Sequence, residues 1–456
     1  MAKKIATKDE RKFAFDGYTR MLIMFLCTIY LTCLVGNSIS LNFTVICMFK
    51  DVDSANSTTL EPQSMFTEGQ HSWLFSIIAV GIICGTLPIS SLQGHFGLRK
   101  TLAAYGLLSA IATLLLPFAV SVGFWLVLVC RFLQGFAIAS SFPAIGAIVS
   151  EWGTWQHSGA YTSYLSGHLQ LGPIITMPLA GELCESSWGW PLLYYAQAAV
   201  TIIVLILFVW FYRDSAADHP YVSREELELL RKDKVTIIST DKVPVREIFT
   251  DSTVLGVFAC FFGATFAFQL FYQFGPLYLN KVLNFHVQST GFGAAFPALV
   301  SFMVKIFAGP LSDHIPYLSA RWRLIVFASI SQFAEAICFV ILALLPDGES
   351  AWAQVFFTAS IGFSGLNAVG VWKATQLISG QFAYVLMAVN QFLSSLTILI
   401  LPPIVTTIAP NNSREEWATL LYGTSVFIVI TTMAFNLTAR ATPRSWAHER
   451  KTNSVV

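Results

Sequence analysis

Five charged or titratable side chains stand inside long apolar stretches of this 456-residue chain: Arg131, His168, Lys305, Glu335 and Lys373. A charge at the centre of a bilayer costs about 2.5–3.5 kcal/mol on insertion scales, so each is a functional candidate by default. A guanidinium grips a carboxylate with two prongs and keeps its proton. Arg131 therefore fits two roles, holding a substrate carboxylate or bonding helix ends across a bundle. Histidine titrates near physiological pH, which suits His168 to proton coupling as well as to plain packing. Glu335 is a candidate proton carrier, with a structural pairing as the alternative. Lys305 and Lys373 lie within snorkelling reach of a helix end, and Lys305 is two turns from a possible partner, Asp313. Asn37 and Asn42, with Tyr30 and Gln376, are polar groups that either line a wet pathway or glue helices together.

The elements that must position these residues are membrane spans. The sequence is 55% hydrophobic and only 12% charged, about half the charge of a soluble domain. No charged residue occurs in Met21–Phe49, Thr101–Cys130, Val254–Asn280, Phe382–Ala409 or Trp417–Ala439. About twenty apolar residues of helix cross a bilayer core, and inside it the backbone must satisfy its own hydrogen bonds. The runs lack the period-two alternation of barrel strands. Twelve helical spans are expected, near 21–49, 73–93, 101–120, 124–150, 158–181, 191–212, 254–280, 290–311, 324–345, 352–377, 382–409 and 417–439.

An even number puts both termini on one side, and the positive-inside rule names the side. Of 27 Lys and Arg, 21 fall on the inner side if the termini are cytoplasmic, three outside and three within spans. The organisation is then a cytoplasmic tail (1–20), a six-helix half (21–212), a cytoplasmic linker (213–253), a second six-helix half (254–439) and a cytoplasmic tail (440–456). Within the linker, Ser223-Arg-Glu-Glu226 is a capping box that predicts a short surface helix. The overlapping Glu225–Leu230 stretch has the look of an acidic dileucine sorting signal. Asn56-Ser-Thr and Asn411-Asn-Ser are glycosylation acceptors in outer loops. Seven of the eight cysteines lie in apolar runs and read as small hydrophobes; no disulfide framework is expected.

The composition excludes several classes. Net charge is +1, which gives no field for nucleic acid. There is no phosphate-cradling loop, no cluster with metal-ligand spacing and no nucleophile motif, so neither an enzyme nor a metal or organic cofactor is expected. The two halves echo each other: Ser90-Ser-Leu-Gln-Gly-His-Phe-Gly-Leu-Arg-Lys100 follows the second span, and Gly309-Pro-Leu-Ser-Asp-His314 follows the eighth.

Those two loops resemble the inner-loop signature of the major facilitator superfamily, which implies that fold and a gating role for Gly97, Arg99, Lys100, Gly309, Asp313 and Arg321. The first copy has Gly94 where the acid belongs. Arg131-Phe-Leu-Gln-Gly135 with Ser141-Phe-Pro-Ala144 resembles the fourth helix of the anion:cation symporters, the group of sialin, the vesicular glutamate transporters and the type I sodium-phosphate cotransporters. Met177–Gly181, His219–Ser223, Gly362–Gly365 and Asn412–Trp417 follow in the same order. The resemblance implies a secondary active transporter for a small organic anion or phosphate, coupled to protons or sodium and working as a monomer. It would sit in the plasma membrane or in a vesicular or lysosomal membrane. Departures matter too. The first-helix arginine is absent from Ser40-Leu-Asn42, and Ile138 stands where a fourth-helix glutamate is usual. Lys373 is a candidate replacement for the missing positive charge. The losses also keep open an uncoupled facilitator or exchanger, and more distantly a non-transporting sensor.

Overall fold

The computed structural model describes residues 17–49, 64–154, 161, 164–231, 244–313, 317–346, 348–379 and 382–447. Helices dominate. They are α1 (Thr19–Thr44), α2 (Glu68–Phe96), α3 (Leu98–Val122), α4 (Phe124–Trp152), α5 (His168–Glu185), α6 (Pro191–Phe211), α7 (Ser252–Leu277), α8 (Val287–Asp313), α9 (Ala320–Leu344), α10 (Ser350–Ser379), α11 (Ala383–Ile408) and α12 (Arg414–Thr438). Among the described residues eleven are long and apolar enough to cross a membrane, and α5, which contains Pro173 and Pro178, is the twelfth long helix. The start of the expected fifth span, 158–160, lies outside the described residues, as does Asn56.

The packing shows how the helices alternate. One apolar core joins the ends of α1, α3, α5, α7, α9 and α11 to the starts of α2, α4, α6, α8, α10 and α12, and it draws on both halves. At the opposite end there are two separate cores. One gathers Ile23, Leu102, Trp152, Phe208 and Leu230 from the first half. The other gathers Val254, Leu324, Ile378, Phe435 and Trp446 from the second. The halves are thus fused at the end away from the linker and parted at the end that bears it. At the fused end Phe75 meets Phe274 edge-on at 5.2 Å, and Ser76 Oγ donates to Leu399 O at 3.0 Å. Gln288 N and Nε2 donate to Glu185 and Glu182 at 3.0 and 2.7 Å. α5 and α8 run in close contact because Gly291 lies against the backbone of Met177 and Gly181, where a Cβ would collide.

One expectation fails. Cys47 and Cys184 form a disulfide, with Cα atoms 6.0 Å apart. The apolar run suggested that Cys47 was intramembrane, but α1 stops at Thr44 and the chain turns out through Val45–Cys47. The bridge sits at the fused end of the bundle and ties the exit of α1 to the exit of α5.

At the parted end each half is strapped by the segment that follows its last helix. In the first half, Arg213 O accepts from Trp152 Nε1 at the end of α4 (3.3 Å). Farther on, Tyr221 O accepts from Thr19 Oγ1 (2.9 Å), and Glu226 Oε1 accepts from Arg20 N (2.9 Å) at the start of α1. The expected surface helix is present as Arg224–Arg231, with Ser223 Oγ accepting from Glu226 N at 3.1 Å. The Glu226 carboxylate, however, caps α1 rather than closing the box, and of the two leucines of the dileucine-like stretch Leu230 is buried and Leu229 exposed. In the second half the same path recurs: Arg444 N donates to Ile378 O at the end of α10 (3.1 Å). Arg444 Nε and Trp446 Nε1 donate to Asp251 at the start of α7 (2.5 and 3.0 Å).

Candidate functional site

Two spans in equivalent places are interrupted near mid-membrane. α4 breaks at Ala139–Ser140 between its segments Phe124–Ile138 and Ser141–Trp152. α10 breaks through a 3₁₀ turn, Gly365–Ala368, before resuming at Val371. Paired discontinuities at matching positions of two repeats mark where a solute site is built in transporters. The second residue after each break is aromatic, and the two rings, Phe142 and Trp372, stack across the halves at 6.0 Å. Phe261 meets Trp372 edge-on at 5.4 Å.

A cavity lies between the halves, its α10 wall one turn before the break in that helix. Its walls are Leu169, Gln170, Pro173 and Met177 of α5, facing Phe268, Phe271, Tyr272 and Pro276 of α7, Ala294, Ala298 and Ser301 of α8, and Ile361 of α10. Gln170 Oε1 and Ser301 Oγ are buried there without a hydrogen-bond partner among the described residues. A buried polar atom left unpaired is costly, and a solute pocket is a usual place for one. One helical turn beyond Ser301, on the same face of α8, Lys305 Nζ donates at 2.6 Å to the Oγ of Ser166, two residues before α5.

The residues singled out by sequence are placed differently. Arg131 is fully buried and spends its fork inside its own half. Nε donates to Leu74 O (3.2 Å), NH1 to Ser38 O and to Gln134 Oε1 (3.1 Å), and NH2 to Asn42 Oδ1 (3.4 Å). Asn37 Nδ2 donates to Ser109 Oγ (3.0 Å) and Thr201 Oγ1 (3.1 Å), joining α1, α3 and α6. Tyr30 OH donates to Leu102 O at 2.5 Å. His168 Nδ1 donates to Leu165 O at 2.7 Å, and its Nε2 is buried without a partner among the described residues. Glu335 is buried in α9 beside Gln332; its Oε2 and both Gln332 side-chain polar atoms lack partners among the described residues. Lys373 is half-buried and Gln376 exposed on the last turns of α10. None of these eight residues lines the cavity.

The first inner loop is organised within its own half as well. Gly97 takes φ +82°, and the Asp214 carboxylate fills the space a side chain would need. Asp214 Oδ1 accepts from Arg99 N at 2.7 Å, while Arg99 Nε donates to Val209 O at 2.8 Å. The acid that sequence comparison finds missing before Gly97 is thus supplied by the residue group after α6, at the N-terminus of α3 where a carboxylate is favoured. Lys100 and Arg321 are exposed. The surroundings of Gly309 and the side chain of Asp313 are not among the described features.

Gln170, Ser301 and Tyr272 were the cavity residues that sequence reasoning missed. A signal existed on α8, where Ala294, Ala298, Ser301 and Lys305 follow each other at spacings of four, three and four, a single helical face of small residues ending in a cation.

The class these features define is a two-domain membrane transporter, and sequence comparison agrees. Residues 21–402 match the Major Facilitator Superfamily, and the chain belongs to that superfamily. Its relatives are anion:cation symporters. Human sialin is 25% identical over 383 residues, 82% of this chain and 76% of sialin. Mouse sodium-dependent phosphate transport protein 1 is 23% identical over the full length of both. Among solved structures, a bacterial homolog of the human lysosomal transporter Spinster, in an inward-facing and occupied conformation, superposes with TM-score 0.68 at 13% identity, covering 93% of this chain and 97% of that one. The chain is a multi-pass integral membrane protein of a transporter family and not an enzyme.

Proposed function

We propose that this protein is a secondary transporter that carries a small organic anion across the membrane by alternating access, coupled to protons or sodium. The observation that carries the reading is the cavity shared by α5 of one half and α7, α8 and α10 of the other, with unpartnered Gln170 and Ser301 facing it. Fused cores at one end and parted cores at the other describe one state of a two-body rocker. The excess of Lys and Arg at the parted end supports a cytoplasmic orientation for it. The Cys47–Cys184 bridge at the other end supports the same, since disulfides persist on the non-cytoplasmic side. In that orientation the state is inward-facing. The kinship with sialin and phosphate transporters supports an anionic cargo.

The coupling site is proposed to be Glu335 or His168, each buried with an unpartnered atom. A second reading, a facilitator or exchanger without ion coupling, is favoured by one observation: among the described residues no carboxylate lines the cavity. Uptake of labelled sialate, glutamate, urate, phosphate and gluconate into proteoliposomes, with and without an inward proton gradient, separates them. Gradient-stimulated uptake lost in Glu335→Gln or His168→Ala supports coupled symport. Uptake indifferent to proton and sodium gradients supports the facilitator.

A further inference from the structure

We propose that Thr442 is a phosphorylation site for a proline-directed protein kinase, and that its phosphate draws Arg444 away from Asp251 and loosens the strap of the second half. The proposal goes beyond the transport reading and shares with it only the cytoplasmic placement of the parted end, the side on which ATP is found.

The chain has 18 prolines, and Pro443 is the one that follows a serine or threonine. Thr442-Pro443 is thus the single dipeptide that a proline-directed kinase reads, and it lies where such an enzyme needs it. α12 ends at Thr438 and the next helical turn begins at Ser445, so Thr442 and Pro443 stand in irregular backbone, and both are exposed. A residue before proline is biased to the extended form, so no helix has to melt to present the hydroxyl. In the transfer, the Thr442 hydroxyl oxygen bonds to the γ-phosphorus of ATP. The bond from that phosphorus to the β,γ-bridging oxygen breaks, ADP departs and the hydroxyl proton is released.

A phosphothreonine carries about −1.5 to −2 charges and three strong acceptor oxygens. Arg444 follows two residues later, its Cα at most about 7 Å away, and the exposed Arg440 precedes by two. A guanidinium forks onto phosphate as it does onto carboxylate, so the dianion is a tethered rival to Asp251, which now accepts from Arg444 Nε at 2.5 Å. The exchange does not strand a buried charge. Asp251 keeps Trp446 Nε1 at 3.0 Å and Thr253 N at 2.8 Å as donors. What is lost is the tie between the tail and the first turn of α7. The same residue holds the end of α10 through Arg444 N and Ile378 O, and α7 and α10 both wall the cavity. Modification at Thr442 therefore reaches the site without touching solute. The strap of the first half, residues 213–226, has no Ser-Pro or Thr-Pro, so the switch is one-sided.

The test uses purified full-length protein in detergent, a proline-directed kinase and γ-labelled ATP. Wild type should take up label to a limit of one phosphate per chain, since one such site exists, and Thr442→Ala should take up none. Phosphorylated wild type should melt about 2 °C or more below the unmodified protein, and phosphatase should restore it. In Asp251→Asn, where Arg444 has no carboxylate to leave, modification should shift melting by less than half as much. The phosphatase comparison needs no variant and stands if Asp251→Asn does not fold. Label that is absent or independent of Thr442, label with unchanged or raised melting temperature, or an equal drop in Asp251→Asn would overturn the proposal. Both faces are reachable in detergent, so failure here counts against Thr442 and leaves the orientation and the transport reading standing.

Discussion

Arg444 Nε donates to Asp251 Oδ2 at 2.5 Å, so the residue group after the last helix closes onto the first turn of α7, 193 positions earlier. Burial alone would raise the Asp251 carboxyl. The bonds from Arg444, Trp446 Nε1 and Thr253 N outweigh it and hold the group below its ordinary value. A depressed acid contributes stability that is complete above its unfolded value near 3.9 and is lost as pH falls through the folded value. Asp251→Asn should lower the melting temperature at neutral pH by the equivalent of about 1.5–3 kcal/mol, and the difference from wild type should shrink below pH ~4. Thermal melts of both proteins in detergent across that range check it.

The equivalent strap of the first half carries a histidine. His219 Nε2 donates to Phe211 O at 3.1 Å and Nδ1 accepts from Tyr221 N at 3.3 Å, with Trp152 edge-on at 5.4 Å. Both bonds fit the neutral ring. Burial, joined by the nearby positive charge of Arg213, holds its pKa below the ordinary value against the opposing bond to Phe211 O. The fold then binds fewer protons than the unfolded chain, so the contribution of His219 is complete above pH ~6.5 and is lost as pH falls from there through the folded value. Wild type should lose stability between pH 7 and 5, and His219→Gln should flatten that slope. A steeper slope in the variant would contradict the arrangement.

Arg131 links α1, α2 and α4 through one guanidinium. Arg131→Lys keeps the charge but not the planar fork, and it should cost at least about 2 kcal/mol of stability through the carbonyls left unpaired. Melting temperature and monodispersity of the purified variant report this. A variant as stable as wild type would show that these bonds contribute little.

The disulfide closes a segment of 137 positions. Cys47→Ser should remove it and destabilise the protein by up to about 4–5 kcal/mol on the chain-entropy scale. Alkylation under denaturing conditions should label six cysteines before reduction and eight after. Eight labels without reductant would remove the bridge from the account.

Much of this architecture was legible in the sequence, because a span announces itself by length and missing charge. Helix ends were less so. The apolar run through Phe49 hid the stop at Thr44, and with it the pairing of Cys47 with Cys184. The buried charges were legible as individuals, but their partners were not. Arg131 reads alike whether it faces solute or the carbonyls of Ser38 and Leu74, since the answer depends on which helix faces meet. The cavity suffers most from this. Its polar lining, Gln170 and Ser301, is chemically ordinary, and only the meeting of α5 with α8 makes it notable. The strap was hidden for the same reason: Asp214 and Asp251 gain their roles from contacts with Gly97 and Arg444 across 117 and 193 positions.

The central claim is that the cavity between the halves carries solute. Its most direct test is uptake of the labelled anion panel by wild type, Gln170→Leu and Ser301→Ala in proteoliposomes, with melting curves to verify folding. The account predicts accumulation of at least one anion by wild type, reduced about tenfold or more when the buried polar lining is removed. Undiminished uptake in both folded variants would contradict it, because the solute would then be crossing somewhere else.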